Sequence, residues 1–398
     1  MAGVLNNLGD LLAKDNARWM DAERYYREAL AIYQKLAEKD PDSYQTVLAW
    51  AFSNLGTLIA KDSTRQVEAE KYYREALVIY RKLAKKDPGF NQTGQARTLN
   101  NLGVLLANDD AHWSEAEKYY RGALAIYRKL TEKDPDFNQT EQARTLNNLG
   151  LLLANDRMHW PEAEKYYCEA LAIYRKLAEK DPDSYQSDLA RVLSNLGFLL
   201  AKDSTRQDEA EKYYREVLVI GRELAKEDPD SYQANLAGVL NNLGDLLAKD
   251  NARWMDAERY YREVLVIARE LARKDPDFDQ TNLAGVLNNL GNLLVNNRMH
   301  QTEAEDLYRE ALVIARKLAK KDVDSYHPLL AEILKDWGAA YLKWRQPVQA
   351  EFYLKKAVEV LISLTEKVPE RFLVDLKDSR RLLQEAIDAQ QTGKKRAA

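Results

Sequence analysis

The 398-residue chain has one cysteine and four histidines. It also lacks any apolar run near the roughly 18 residues needed to cross a bilayer. A lone thiol, Cys168, excludes a disulfide framework within the chain and points to a reducing compartment, for which the cytoplasm is the natural expectation. No signal-peptide pattern opens the sequence. Glycine and proline are sparse, 16 and 10 residues, and fall at fixed sites, which excludes a flexible linker between domains. Charge of one sign is missing too, because 59 Lys and Arg offset 63 Asp and Glu to a net −4. That balance gives no electrostatic footprint for nucleic acid or an anionic membrane.

What the chain has instead is a period. Gly9, Gly56, Gly103, Gly150, Gly197, Gly244, Gly291 and Gly338 recur every 47 residues, and all but the last close an Asn-Leu-Gly triplet. A fixed period of this size marks a stack of supersecondary units, each touching only its neighbours. One continuous solenoid therefore replaces the two or three globular domains that length alone suggests.

Residues 42–88 show what one repeat builds. Asp42, followed three residues on by Gln45, reads as a capping box that opens a helix. Leu48, Phe52, Leu55, Leu58 and Ile59 give that helix an apolar face at steps of three and four. Lys61–Gln66 breaks the pattern, and a second helix begins near Glu68. Its apolar positions, among them Ala69, Tyr72, Tyr73, Ala76, Leu77, Ile79, Tyr80 and Leu83, exceed the roughly 100° stripe of a surface helix, so it needs two packing partners. Asp87-Pro88 stops it. Gly56 inside the first helix costs about 1 kcal/mol relative to alanine. Its return in every repeat predicts a close helix crossing, with Ala60 and Ala69 as the small residues beside it. The expected fold is all-α, an antiparallel helix-pair solenoid.

Phe52, Leu55-Gly56, Ala69, Tyr73 and Ala76 resemble the tetratricopeptide repeat pattern of a bulky residue, Leu-Gly, Ala, an aromatic and Ala. The resemblance covers about residues 2–366 and recurs eight times. The usual period is about 34 residues; here the extra length falls in the second helix and its connection onward. Ala163-Glu164-Lys165-Tyr166-Tyr167 and Leu146-Asn147-Asn148-Leu149-Gly150 are similar to the long-period subgroup of kinesin light chains. They resemble still more the multi-repeat arrays of bacterial signalling and defence proteins. The resemblance implies a right-handed superhelical solenoid over residues 1–368; the residues beyond it read as a capping helix over 369–390 and a disordered tail over 391–398. It also implies binding of a protein or peptide along a concave surface lined by the first helices, with no catalysis and no cofactor. It does not name the ligand.

Comparing repeats separates what the stack requires from what is free to specialise. Leu8, Leu55, Leu102, Leu149, Leu196, Leu243 and Leu290 barely change and read as core. A stripe on the opposite face of the first helix supplies the candidate groove. It holds Trp50, Asn54 and Thr57, then Arg97, Asn101, Val104 and Asn108, then Arg144, Asn148, Leu151 and Asn155. It continues through Arg191, Asn195, Phe198 and Lys202 to Asn242 and Asp245. The position after the glycine changes most, and apolar residues in a row there point to a contact patch. Neutral drift of recent duplicates is the competing reading. The asparagines can hold a ligand backbone or bond within the stack, and the residues leave both open. The arginines suit a ligand carboxylate.

Other constellations carry no reaction. His112, His159 and His300 share a turn position but lie in different repeats, whereas zinc needs convergent ligands. Trp19, Trp113, Trp160 and Trp254 follow in that turn and are expected to staple adjacent repeats. Glu70 and Arg74, at i and i+4, read as a solvated pair. No nucleophile, metal or phosphate motif interrupts the repeats, so an enzyme is not expected.

Ala2–Glu28 is identical to Ala237–Glu263, and Lys61–Gln66 recurs as Lys202–Gln207, which marks recent shuffling of repeats. The chain begins without the lead-in that later repeats have, so a self-associating N-terminal end is expected. Asp336-Trp337-Gly338 and the amphipathic positions Phe372, Leu376, Leu383 and Ile387 read as a terminal cap. Two functions stand: a protein-binding scaffold, plausible as the sensor of a larger protein, and a self-assembly module that stacks end to end.

Overall fold

A computed structural model describes residues 1–86, 91–134, 138–275 and 280–397, and among them it contains seventeen α-helices and six 3₁₀ turns and no strand. The chain forms two compact units, Met1–Leu199 and Leu200–Ala398. The first begins with the pairs α1 (Ala2–Leu12) and α2 (Trp19–Lys39), and α3 (Pro41–Ile59) and α4 (Gln66–Lys86). It continues with α5 (Gln92–Leu106) and α6 (Trp113–Lys133), then α7 (Gln139–Leu153) and α8 (Trp160–Lys180). Next comes α9 (Pro182–Ala201), most of which belongs to this unit. The second unit holds α10 (Gln207–Glu227), α11 (Pro229–Leu247), α12 (Trp254–Lys274) and α13 (Gln280–Leu294). It ends with α14 (Gln301–Lys321), α15 (Val323–Lys343), α16 (Pro347–Lys367) and α17 (Pro369–Ala397). From α1 to α8, and again from α10 to α17, each helix packs on the next in sequence. Among the described residues, no helix is long and apolar enough to cross a membrane.

The repeats are punctuated by aspartates. Asp40 ends α2, its N–H donating to the Leu36 carbonyl at 2.8 Å, and starts α3, its carboxylate accepting from the Ser43 N–H at 3.2 Å. This corrects the capping-box expectation. Asp40 is the cap, because Pro41 already occupies the first helical turn, and Asp42 instead takes the Lys86 ammonium at 2.6 Å. Asp181, Asp228 and Asp322 cap Ser184, Ser231 and Ser325 in the same way. The expected stop at Asp87-Pro88 lies outside the described residues. Between the helices of a pair, Asp15, Asp62, Asp156 and Asp250 each accept a backbone N–H two residues on, at 2.8 to 3.0 Å. That bond fixes the short 3₁₀ turn.

In every pair other than that of α9, the repeated glycine marks the crossing of the two helices. A β-carbon at Gly56 would stand 3.1 Å from the Tyr73 ring and 3.3 Å from the Ala69 carbonyl. Leu55, Ala69 and Tyr73 are buried around it, so close approach compensates for the weak helix propensity of glycine. In the second unit, Phe372 and Leu376 of α17 bury against Ala331, Val358, Leu361 and Leu364, as a cap requires. The helix runs on to Ala397 through the segment expected to be a tail.

Candidate functional site

Two faces of the repeats carry different chemistry. On the second helices, Arg74 pairs with Glu70 of its own helix at 2.6 Å and with Glu115 of the next repeat at 2.9 Å. The same guanidinium donates to the Tyr119 hydroxyl at 3.1 Å. Arg27 with Glu23, Glu68 and Tyr72, and Arg121 with Glu117, Glu162 and Tyr166, repeat this clamp. Cys168, exposed and in no disulfide, stands in the slot of the clamp arginine. This face is committed to holding the stack.

The turns are committed as well. Trp113 donates to the Leu152 carbonyl of the next repeat at 3.4 Å and lies 5.4 Å from the His159 ring. Trp254 and His300 are 6.5 Å apart, whereas Trp160 bonds the Ala154 carbonyl of its own turn. His112 and His159 each bond an aspartate three residues earlier, Asp109 and Asp156, at 2.9 Å. Among the described residues, no cluster of three metal-ligating side chains occurs.

On the first helices, α5, α7 and α9 bring the expected stripe into register. Arg97, Arg144 and Arg191 occupy one half-buried slot. Arg144 pairs with Glu141 at 3.1 Å and Arg191 with Asp188. Arg97 has no ion pair among the described residues. Asn108 and Asn155 are exposed just past their helices, and Trp50 is half-buried on α3.

The asparagines bond across the stack. Asn54 donates to Asp10 at 3.3 Å, Asn101 to Thr57 at 3.2 Å, Asn148 to Asn100 at 3.3 Å and Asn195 to Asn147 at 2.9 Å. Of the two roles left open by the sequence, the stack takes at least one amide hydrogen of each. In the second unit, Asp245 of the stripe accepts from Tyr261 at 2.6 Å, Asn241 at 3.0 Å and Asn289 at 3.3 Å. Burial raises its carboxyl above the ordinary aspartate range, against the opposing Tyr261 bond. Asn242 makes no side-chain hydrogen bond among the described residues. Lys202 is exposed beyond the end of α9.

The position after the glycine is where the repeats diverge. When it is polar, a tyrosine sixteen residues on bonds it: Tyr26 to Asp10 at 2.6 Å, Tyr73 to Thr57 at 3.1 Å, Tyr308 to Asn292 at 2.6 Å. In the third and fourth repeats it is Val104 and Leu151, exposed by 44% and 52%. Their tyrosines, Tyr120 and Tyr167, are almost wholly buried and lie across Gly103 and Gly150. Neither hydroxyl has a hydrogen-bond partner among the described residues. Burial raises both hydroxyls above the ordinary range, so they remain protonated donors. Phe198, exposed by 53%, extends the apolar row. The comparison of repeats found this row; the unpartnered hydroxyls beneath it needed the three-dimensional pairing.

The model of the tetratricopeptide repeat matches residues 1–42, 95–136, 142–183, 189–230, 236–277 and 283–322. No curated protein matches the sequence. Among solved structures, the chain is similar to a signal-transduction ATPase with a tetratricopeptide repeat sensor from Pyrococcus horikoshii. That match has 14% identity and a TM-score of 0.57 over 94% of this chain and 49% of the other. BtubC (BKLC) from P. vanneervenii is 23% identical with a TM-score of 0.51, over 64% of this chain and 92% of its own. Apo RapI is 16% identical with a TM-score of 0.51, over 80% of this chain and 99% of its own. These likenesses show the fold, and the family matches recur through most of the array. The chain belongs to the tetratricopeptide repeat family.

Proposed function

We propose that the protein is a non-catalytic scaffold that grips an extended protein segment along the first-helix face, as the recognition or sensor part of a larger cytoplasmic protein. The observation that carries this reading is the exposed row of Val104, Leu151 and Phe198 in a slot that the first, second, sixth and seventh repeats fill with the polar Asp10, Thr57, Asp245 and Asn292. An apolar row above unpartnered tyrosine donors suits a segment that offers an apolar side chain and carbonyl oxygens. Arg97, Arg144 and Arg191 beside it suit a carboxylate on the same segment. The tetratricopeptide repeat sensor of the Pyrococcus horikoshii ATPase supports a sensing role by analogy of fold. Affinity selection of partners with wild type and with Leu151→Ala/Phe198→Ala tests it. The double variant should keep its melting temperature and lose about 2 kcal/mol or more of affinity for a genuine partner. Unchanged binding by the folded variant would move the site to another face.

End-to-end self-assembly is the second reading, favoured by the exposed Val4 and Leu11 of α1. A molecular mass that rises with concentration and falls on Val4→Ser/Leu11→Ser would support it.

A further inference from the structure

The second compact unit carries an open cleft of about 580 Å³ on its first-helix face, between α11 and α13. That volume falls within the range of ligand pockets. Two slots have lost bulk to make it. The slot held by Arg97, Arg144 and Arg191 becomes Gly238 and Gly285, and nothing lies within 4 Å of a β-carbon placed at either. The slot held by Tyr33, Tyr80, Tyr127 and Tyr174 becomes Ala268 on α12. Both glycines sit in helix interiors, where packing gives no reason for them, unlike Gly244 and Gly291 against their tyrosines.

The lining has two parts. Val264, Ala268, Leu271, Val286 and Leu329 provide an apolar surface, and Asn235, Asn242 and Asn282 stand around it. Those three asparagine side chains make no hydrogen bond among the described residues, so each offers both a donor and an acceptor. Among the described residues, no charged side chain lines the cleft. One repeat beyond Gly285, its slot is filled by Glu332, which forms no ion pair among the described residues. Glu332 is exposed on α15, three residues on from the cleft-lining Leu329, and desolvation together with the neighbouring Asp336, Asp375 and Asp245 raises its carboxyl against Lys335. Lys335 is itself held by Asp375 at 2.9 Å.

We propose that this cleft is a peptide-binding site separate from the arginine-lined row, taking an uncharged aliphatic side chain of an extended segment with a cationic residue next to it. The apolar floor receives the aliphatic group, and the asparagines hold the backbone amides on either side. Glu332 and Asp245 receive the cation. The first unit's stripe is cationic at the corresponding slot, so the two sites select opposite charges.

The full chain is titrated into fluorescent, end-blocked eight-residue peptides with a central leucine followed by lysine, and into versions carrying Leu→Ser or Lys→Glu. The leucine–lysine peptide should bind, and either change should weaken binding about tenfold or more. Ala268→Tyr restores the aromatic of the earlier repeats without adding charge, and Gly285→Arg restores their arginine. Each should weaken binding to the same degree with the melting temperature maintained, whereas Leu151→Ala should leave it unchanged. No binding of the leucine–lysine peptide, or equal binding of the glutamate version, would overturn the proposal. So would full affinity in both filled variants. Loss on Leu151→Ala alone would assign the peptide to the first site and remove this one.

Discussion

Gly244 lies so close under Tyr261 that a β-carbon there would stand 2.6 Å from the ring's Cε1. Six residues earlier on the same helix, Gly238 has open space where its side chain would be. The two positions should answer oppositely to alanine. Gly238→Ala removes a helix-interior glycine without a clash and should stabilise by about 0.5–1 kcal/mol. Gly244→Ala must displace a buried ring and should cost about 1–3 kcal/mol. Urea unfolding of the two variants checks this, and equal shifts would mean the glycines share one role.

Tyr73 and Tyr167 occupy the same slot in different repeats, but only Tyr73 has a protein acceptor, Thr57. Tyr73→Phe should therefore cost about 1 kcal/mol, the net worth of one such bond. Tyr167→Phe breaks no bond within the chain and should leave stability nearly unchanged. If the proposed groove is right, it should instead weaken partner binding. Thermal melts paired with a binding titration distinguish the two residues.

The fold was legible because every repeat repeats its errors and its rules. The fixed spacing of Gly56 and Gly103, with Ala69 and Tyr73 at constant offsets, announces a helix crossing in the sequence itself. Caps were less legible, since Asp40 and Asp42 flank the same proline and only geometry shows which carboxylate faces the Ser43 N–H. The row Val104, Leu151 and Phe198 was visible as variation against a constant background. The stack bonds of Asn148 and Asn195 were not, because their partners Asn100 and Asn147 lie 48 residues away. The loss of tyrosine at Ala268 could have been noticed. Its meaning required knowing that Gly238 and Gly285 open onto the same space.

Glu23 supplies a pH signature. Hydrogen bonds from Arg65, outweighing burial and joined by Arg27, lower its carboxyl from 4.5 to about 2. The unfolded chain therefore takes up this proton first as the pH falls. The stabilisation is complete above about 4.5 and is lost as the pH drops toward 2. Glu23→Gln should lower the melting temperature near neutrality, and the gap to wild type should close through that window. A gap that stays constant with pH would show that the glutamate acts through packing alone.

Val4 and Val239 sit in identical sequence, Ala2–Glu28 and Ala237–Glu263, so any difference between them comes from their neighbours. Val4 is 71% exposed and Val239 6%; Leu11 is 63% exposed and Leu246 5%. The second copy packs against α10, and α1 has no helix before it among the described residues. Placing a copy of residues 190–236 ahead of Ala2 would give α1 the same cover. Burying two such side chains contributes about 1.5–3 kcal/mol each before ordering costs. The extended chain should melt at a higher temperature and show less concentration-dependent association by analytical ultracentrifugation. If the melting temperature and mass are both unchanged, α1 does not accept a preceding helix and the apolar face is stable in water as it stands.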